Sequence, residues 1–157
     1  MNSSITHRVT ADQTEISDTQ ALFQLEDQTS QLLRRAHQRA TALFLSDLGP
    51  GAFTPPQFAA LYKLYEQGSV SQNSLGRMIA MDAATMQGVV RRLHERGMVN
   101  RTPDAIDRRR IQLSLTAEGR EAVELALEGA QAVEREILAP LNSREQATFL
   151  RLLRRLA

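Results

Sequence analysis

Cysteine is absent from the 157-residue chain, which removes disulfides, thiol catalysis and thiolate zinc sites together. Tryptophan is absent as well, and aromatic residues make up only 4% of the sequence. The three histidines, His7, His37 and His94, are scattered and form no ligand spacing. A metal-independent, cofactor-free function is therefore expected. No apolar run approaches the roughly 18 residues of a membrane span. Residues 1–20 lack the apolar stretch of a secretory signal, so the cytoplasm is the expected compartment. A phosphate-cradling glycine loop is missing, as is any Ser/His/Asp arrangement with supporting context. Enzyme chemistry is not expected.

Lysine is nearly absent too, and what replaces it is informative. Of the 19 basic residues only Lys63 is lysine; the rest are arginine, whose planar donor fork suits phosphates and guanine edges. The net charge is only +1, but it is unevenly placed. Between Ser71 and Arg110 eight arginines face Asp82, Glu95, Asp104 and Asp107, whereas Thr116–Ala157 carries six arginines and seven glutamates. Positive charge concentrates in the middle of the chain, as in a protein that meets a polyanion there.

Hydrophobic spacing predicts the elements. Residues 1–20 are polar and aperiodic, and read as a flexible N-terminal arm. Residues 21–48 carry Leu22, Leu25, Leu32, Leu33, Ala36, Ala40, Leu43 and Phe44 at spacings of three and four. That helix would be about 40 Å long, and Gly49-Pro50-Gly51 would stop it. Three short helices follow, each opened by a cap residue, at Thr54, Ser71 and Asp82, with Gly68 and Gly97 as terminators. Their apolar positions are Phe58, Leu61, Tyr62, Leu64 and Tyr65, then Leu75, Met78 and Ile79, then Met86, Val89, Val90 and Leu93. Met98–Arg101 and the alternating Ile111, Leu113 and Leu115 then flank a charged loop, which makes a hairpin or wing. Thr116 and Asn142 cap the last two helices.

The expected fold class is mainly α with a small β-hairpin wing: a winged helix-turn-helix lobe at 54–115 between a 21–48 dimerisation helix and 116–157 dimerisation helices. The terminal helices offer apolar surface that the small lobe cannot cover, so an interlocked homodimer is expected, with a self-covering monomeric bundle as the alternative.

The helix opening at Asp82 is the candidate DNA reader. Once Met86, Val89, Val90 and Leu93 are turned inward, the opposite face holds Ala84, Thr85, Gln87, Gly88 and Arg91, flanked by Arg92 and Arg96. Gln87 can pair with adenine, the Thr85 methyl or hydroxyl can touch a base edge, and Gly88 permits close approach. These arginines could equally solvate one helix face. The second basic element, Arg108-Arg109-Arg110 at a wing tip, favours DNA, since such a tip reaches the neighbouring minor groove. Asp107 would orient Arg109. A non-catalytic protein-binding adaptor on the same fold is the alternative.

The segment SVSQNSLGRMIAMDAATMQGVVRRLHERGMVNRTPDAIDRRRIQLSLTAEG resembles the MarR family of winged helix-turn-helix regulators. The carrying features are RLHERGMV, Asp107-Arg108-Arg109 and Leu115-Thr116-Ala117-Glu118-Gly119, and the resemblance runs from about Leu22 to the C-terminus. It implies a homodimer on double-stranded DNA with a pseudopalindromic operator, and repression relieved by a small aromatic acid. By position it makes Thr85 and Gln87 groove readers, Arg92 a backbone contact and Arg109 the minor-groove arginine. Gly88 departs from the arginine often found there. The whole chain looks most like the member that represses bacterial nicotinic acid degradation, which implies 6-hydroxynicotinic acid as effector. In that architecture an effector pocket would draw on His37, Arg39, Tyr62, Tyr65, Arg77 and Met81.

Overall fold

The computed structural model describes residues 24–48, 53–104, 107 and 110–157, in two compact units that divide between Gln38 and Arg39. The expected N-terminal arm, Leu22, the Gly49-Pro50-Gly51 stop, and Arg108 and Arg109 lie outside the described residues.

In the first unit the helical pattern starts later than its periodicity suggests. Leu25–Asp27 forms a 3-10 turn, and Gln28 is extended at φ −67° and ψ 134°, which interrupts the helical path. Helix α1 then runs Thr29–Asp47, crossing the boundary between the units.

The second unit begins its lobe with α2, Pro55–Gln67. The Thr54 N–H donates to Gln57 Oε1 at 3.0 Å, and Pro55 and Pro56 occupy the first turn, where helix N–H groups have no partner anyway. Gly68, at φ 76°, turns the chain into a three-residue strand β1, Ser69–Ser71. Helix α3 follows at Gln72–Met78, with Ser71 Oγ accepting from the Ser74 N–H. Its end is a Schellman-type closure: the Met81 N–H reaches the Gly76 carbonyl at 2.8 Å, and Ala80 takes the left-handed position at φ 51°. Helix α4 spans Ala83–Glu95.

Strands β2, Val99–Pro103, and β3, Ile111–Leu115, form the expected hairpin, with Val99 opposite Leu115 and Pro103 opposite Ile111. β1 pairs with the other side of β3, so the sheet has three strands in the order β1-β3-β2. Pro103 is tolerated because β2 is an edge strand. Helix α5 is Ala117–Leu138 and α6 is Ser143–Leu153, each opened by the cap residue expected of it.

The core joins these elements. Leu61, Leu64, Leu75, Met86, Leu93, Leu113 and Val123 come from five of them, and each is at most 1% exposed. Each such side chain contributes about 1.5–3 kcal/mol relative to exposure. Val123 ties α5 into the lobe, and the junction is tight: Thr116 Oγ1 donates to the Gly97 carbonyl at 2.7 Å, while a Cβ on Gly119 would lie 2.9 Å from the Met98 carbonyl carbon. Met78, expected on the apolar face of α3, is 47% exposed because the helix ends there. Among the described residues no helix is long and apolar enough to cross a membrane.

Candidate nucleic-acid interface

Helix α4 separates its two faces as its spacing requires. Met86, Val89, Val90 and Leu93 are buried; Ala83, Ala84, Thr85, Gln87, Arg91 and Arg92 are exposed, and Gly88 is half-buried. A Cβ on Gly88 would meet only the Arg92 guanidinium, at 3.6 Å, so the lobe itself does not demand glycine there. Arg91 lies 4.0 Å from Glu95, an exposed pair that leaves the guanidinium available. Arg96 is different, since its guanidinium sits 4.7 Å over the Phe53 ring and packs onto the lobe.

The start of α4 contains a detail that determines what Thr85 can present. The Asp82 carboxylate accepts from the Thr85 N–H at 2.9 Å and from the Thr85 hydroxyl at 2.6 Å. The hydroxyl bond, then the backbone bonds, hold the Asp82 carboxyl below the usual carboxylate range. Thr85 thus spends its only O–H donor on the cap, which leaves its methyl and the acceptor side of its hydroxyl to meet a partner.

The wing is braced by a residue that sequence reasoning passed over. Asp104 Oδ1 accepts from the Asp107 N–H at 2.9 Å, and its Oδ2 accepts from Gln112 Nε2 at 2.5 Å. Backbone bonds from Asp104 N to Arg110 O and from Arg110 N to Asp107 O close the loop. Asp107 pairs with Arg110 at 3.4 Å. Its expected partner Arg109 lies outside the described residues, as does Arg108.

The residues considered for an effector have different local partners. Tyr62 and Tyr65 stack at 6.4 Å between ring centres, and Phe58 and Phe44 extend the ladder. Arg120 covers the Tyr65 ring at 5.0 Å, and the Tyr65 hydroxyl donates to Glu124. Arg39 donates to the Ile137 and Glu136 carbonyls at 2.9 and 3.2 Å, holding the last turn of α5. Arg77 and Met81 share a cleft of about 300 Å³ beside the start of α4. His37 is exposed and lies in the first unit.

The MarR family model matches residues 53–111, the helix-turn-helix and most of the wing. The chain is 34% identical over 134 residues to the HTH-type transcriptional repressor NicR of Pseudomonas putida, covering 85% of each chain. The chain belongs to the MarR family. Among solved structures, a probable transcriptional regulator from Pseudomonas aeruginosa superposes with a TM-score of 0.82 at 48% identity, over 85% of this chain and all of that one. Bordetella bronchiseptica BpsR, whose DNA binding is regulated by 6-hydroxynicotinic acid, superposes at 0.81 with 33% identity, over 85% and 96% of the two chains. As a MarR-family member this chain is a non-catalytic, DNA-binding regulator of transcription. Arg120, which covers Tyr65, was not singled out from sequence, and Phe58 was read only as an apolar position of its helix. Arg120 lies three residues before Val123 on α5, and that spacing gives no signal of the ring it covers.

Proposed function

We propose that the protein is a homodimeric repressor that binds a pseudopalindromic operator through α4 and the wing and is released by a small aromatic acid. The observation that carries this reading is the exposed face of α4: two alanines, Thr85 and Gln87 project beside Arg91 and Arg92, while every large apolar residue of the helix is buried. Ala84, Gly88 and the Thr85 methyl allow close approach to base edges, and Gln87 supplies a bidentate partner for adenine. Arg91, Arg92 and Arg110 serve phosphates, and Arg108 and Arg109 the minor groove.

Dimerisation through the terminal helices is supported by apolar surface that a single chain leaves open. No residue of α6 is buried, although Phe149 and Leu152 line an apolar groove with Leu141. Leu32, Leu33 and Leu45 of α1, and Leu125 of α5, are likewise exposed. Two lobes fixed around a two-fold axis would match a pseudopalindrome.

For the effector, Tyr62 and Tyr65 provide a flat wall and Arg120 a cation beside it, a combination suited to a planar carboxylate. The likeness to BpsR makes 6-hydroxynicotinic acid the first compound to try. Linkage requires that an acid weakening operator binding be held less tightly by the complex, by the same factor. A useful inducer needs about 1.4 kcal/mol, or tenfold.

The test is a titration of the DNA-bound protein on its own promoter region with nicotinic, 6-hydroxynicotinic and salicylic acids at fixed ionic strength. Release by 6-hydroxynicotinic acid at the lowest concentration supports the assignment. Insensitivity to all three removes the effector, and absence of any sequence-specific complex removes the repressor.

A further inference from the structure

We infer that Arg77, Arg101 and Arg110 form a clamp for the sugar-phosphate backbone of duplex DNA at the root of the wing, apart from the groove-reading face of α4. The inference rests on the DNA-binding reading and extends it to α3 and β2. The three arginines come from separate stretches of chain and line one cleft of about 380 Å³. Among the described residues its remaining lining is Ile111 and neutral polar side chains of 71–74, with no carboxylate. Arg77 is pre-positioned, since its Nη2 donates to Ser74 Oγ at 3.0 Å and Ser71 Oγ donates to the same atom at 2.9 Å. One donor is spent and the others of the fork remain. Arg110 is paired with Asp107 at 3.4 Å, but both side chains are well exposed, so water already weakens that pair.

A second observation gives the cleft a direction. The neighbouring cleft of about 300 Å³ also includes Gln72, Asn73 and Arg77, and it runs to Ala83 in the first turn of α4. Arg77 therefore stands between the wing root and the start of the recognition helix. A strand that passes from one to the other must cross it.

The occupant follows from solvation. The clefts are open and their arginines hydrated, so a small carboxylate would gain little there against water and salt. A polyanion gains differently, because each phosphate neutralised releases condensed counterions. Backbone contacts of this kind add affinity without sequence preference. Arg77 accordingly acts on DNA rather than on an effector.

The experiment measures affinity by fluorescence anisotropy for an operator duplex and a scrambled duplex of equal length across a salt series. The proteins are the parent, Arg77→Ala, Arg101→Ala and the corresponding lysine variants, each with its melting curve. Each alanine variant should weaken both duplexes by a similar factor and lower the salt slope by about one. The lysine variants, which keep the charge, should restore most of that slope, and this separates the role from a folding defect. Unchanged affinity and slope in both alanine variants would overturn the clamp, as would a loss confined to the operator duplex. So would an Arg77→Ala protein that binds DNA normally but is released differently by salicylic acid. A parent protein that shows no salt-dependent duplex binding would instead overturn the DNA-binding reading beneath it.

Discussion

Thr85 permits a sharp test because its two functional groups have different fates in the structure. Its hydroxyl donates to Asp82 at 2.6 Å, so the methyl carries no such commitment. Replacement by valine keeps a methyl and removes the hydroxyl; replacement by serine does the reverse. If the methyl packs against a thymine methyl, its loss costs about 0.8 kcal/mol for each group buried. Two half-sites on a dimer double this to about 1.6 kcal/mol, roughly 15-fold in Kd. Thr85→Ser should therefore bind an operator selected from random duplexes about 15-fold more weakly, while Thr85→Val stays close to the parent. Deoxyuridine in place of the contacted thymidine should cost the parent a similar factor and the serine variant little more, since both changes delete one contact. Anisotropy titration at one salt concentration reads all four combinations. If serine binds like the parent and valine does not, the hydroxyl rather than the methyl reads DNA, and the methyl contact is refuted.

Three further outcomes follow from local geometry. Gly119→Ala forces a methyl into the Met98 carbonyl and should cost about 2–3 kcal/mol, a Tm fall on the order of 4–12 °C; a melting curve that matches the parent's refutes the packing. Asp82→Asn should destabilise the lobe at neutral pH. Because the folded Asp82 carboxyl is held low, its contribution is complete above the ordinary carboxylate range and disappears as acid protonates it, so parent and variant should converge only at low pH in a pH series of thermal melts. Phe149→Glu with Leu152→Glu places charges in the exposed apolar groove of α6 and should give a 17.5 kDa species in sedimentation; a dimer that survives both changes would exclude α6 from the interface.

How much of this was legible in the sequence depended on distance along the chain. The α4 face could be read because Met86, Val89, Val90 and Leu93 repeat within one helix, and its cap is three residues from the N–H it satisfies. The caps at Thr116 and Asn142 were legible for the same reason. Strand β1 was not: three residues are too few for a period-two pattern, and Ser69–Ser71 finds its partner only at Gln112–Ser114. Gln28 shows the opposite failure, where a persistent apolar period hid an extended residue that breaks the helix.

The same distinction explains why the exposed face of α4 was more legible than the surroundings of the residues considered for an effector. A helix face is one local pattern, but a pocket is an agreement among distant segments, and residue chemistry alone cannot say which arginine meets which ring. Arg39, Arg77 and Arg120 are chemically equivalent candidates for a carboxylate. The fold gives them different employment: Arg39 holds carbonyls 97 and 98 positions away, Arg77 joins Ser74 and the wing-root cleft, and Arg120 covers Tyr65. The wing sharpens the point. Its run of arginines and its acidic residues are plain in the sequence, yet the brace is Asp104, which reaches Gln112 across the hairpin. Charge patterning located the surface; only the pairing of β2 with β3 determined which charges build the wing and which remain to meet a phosphate.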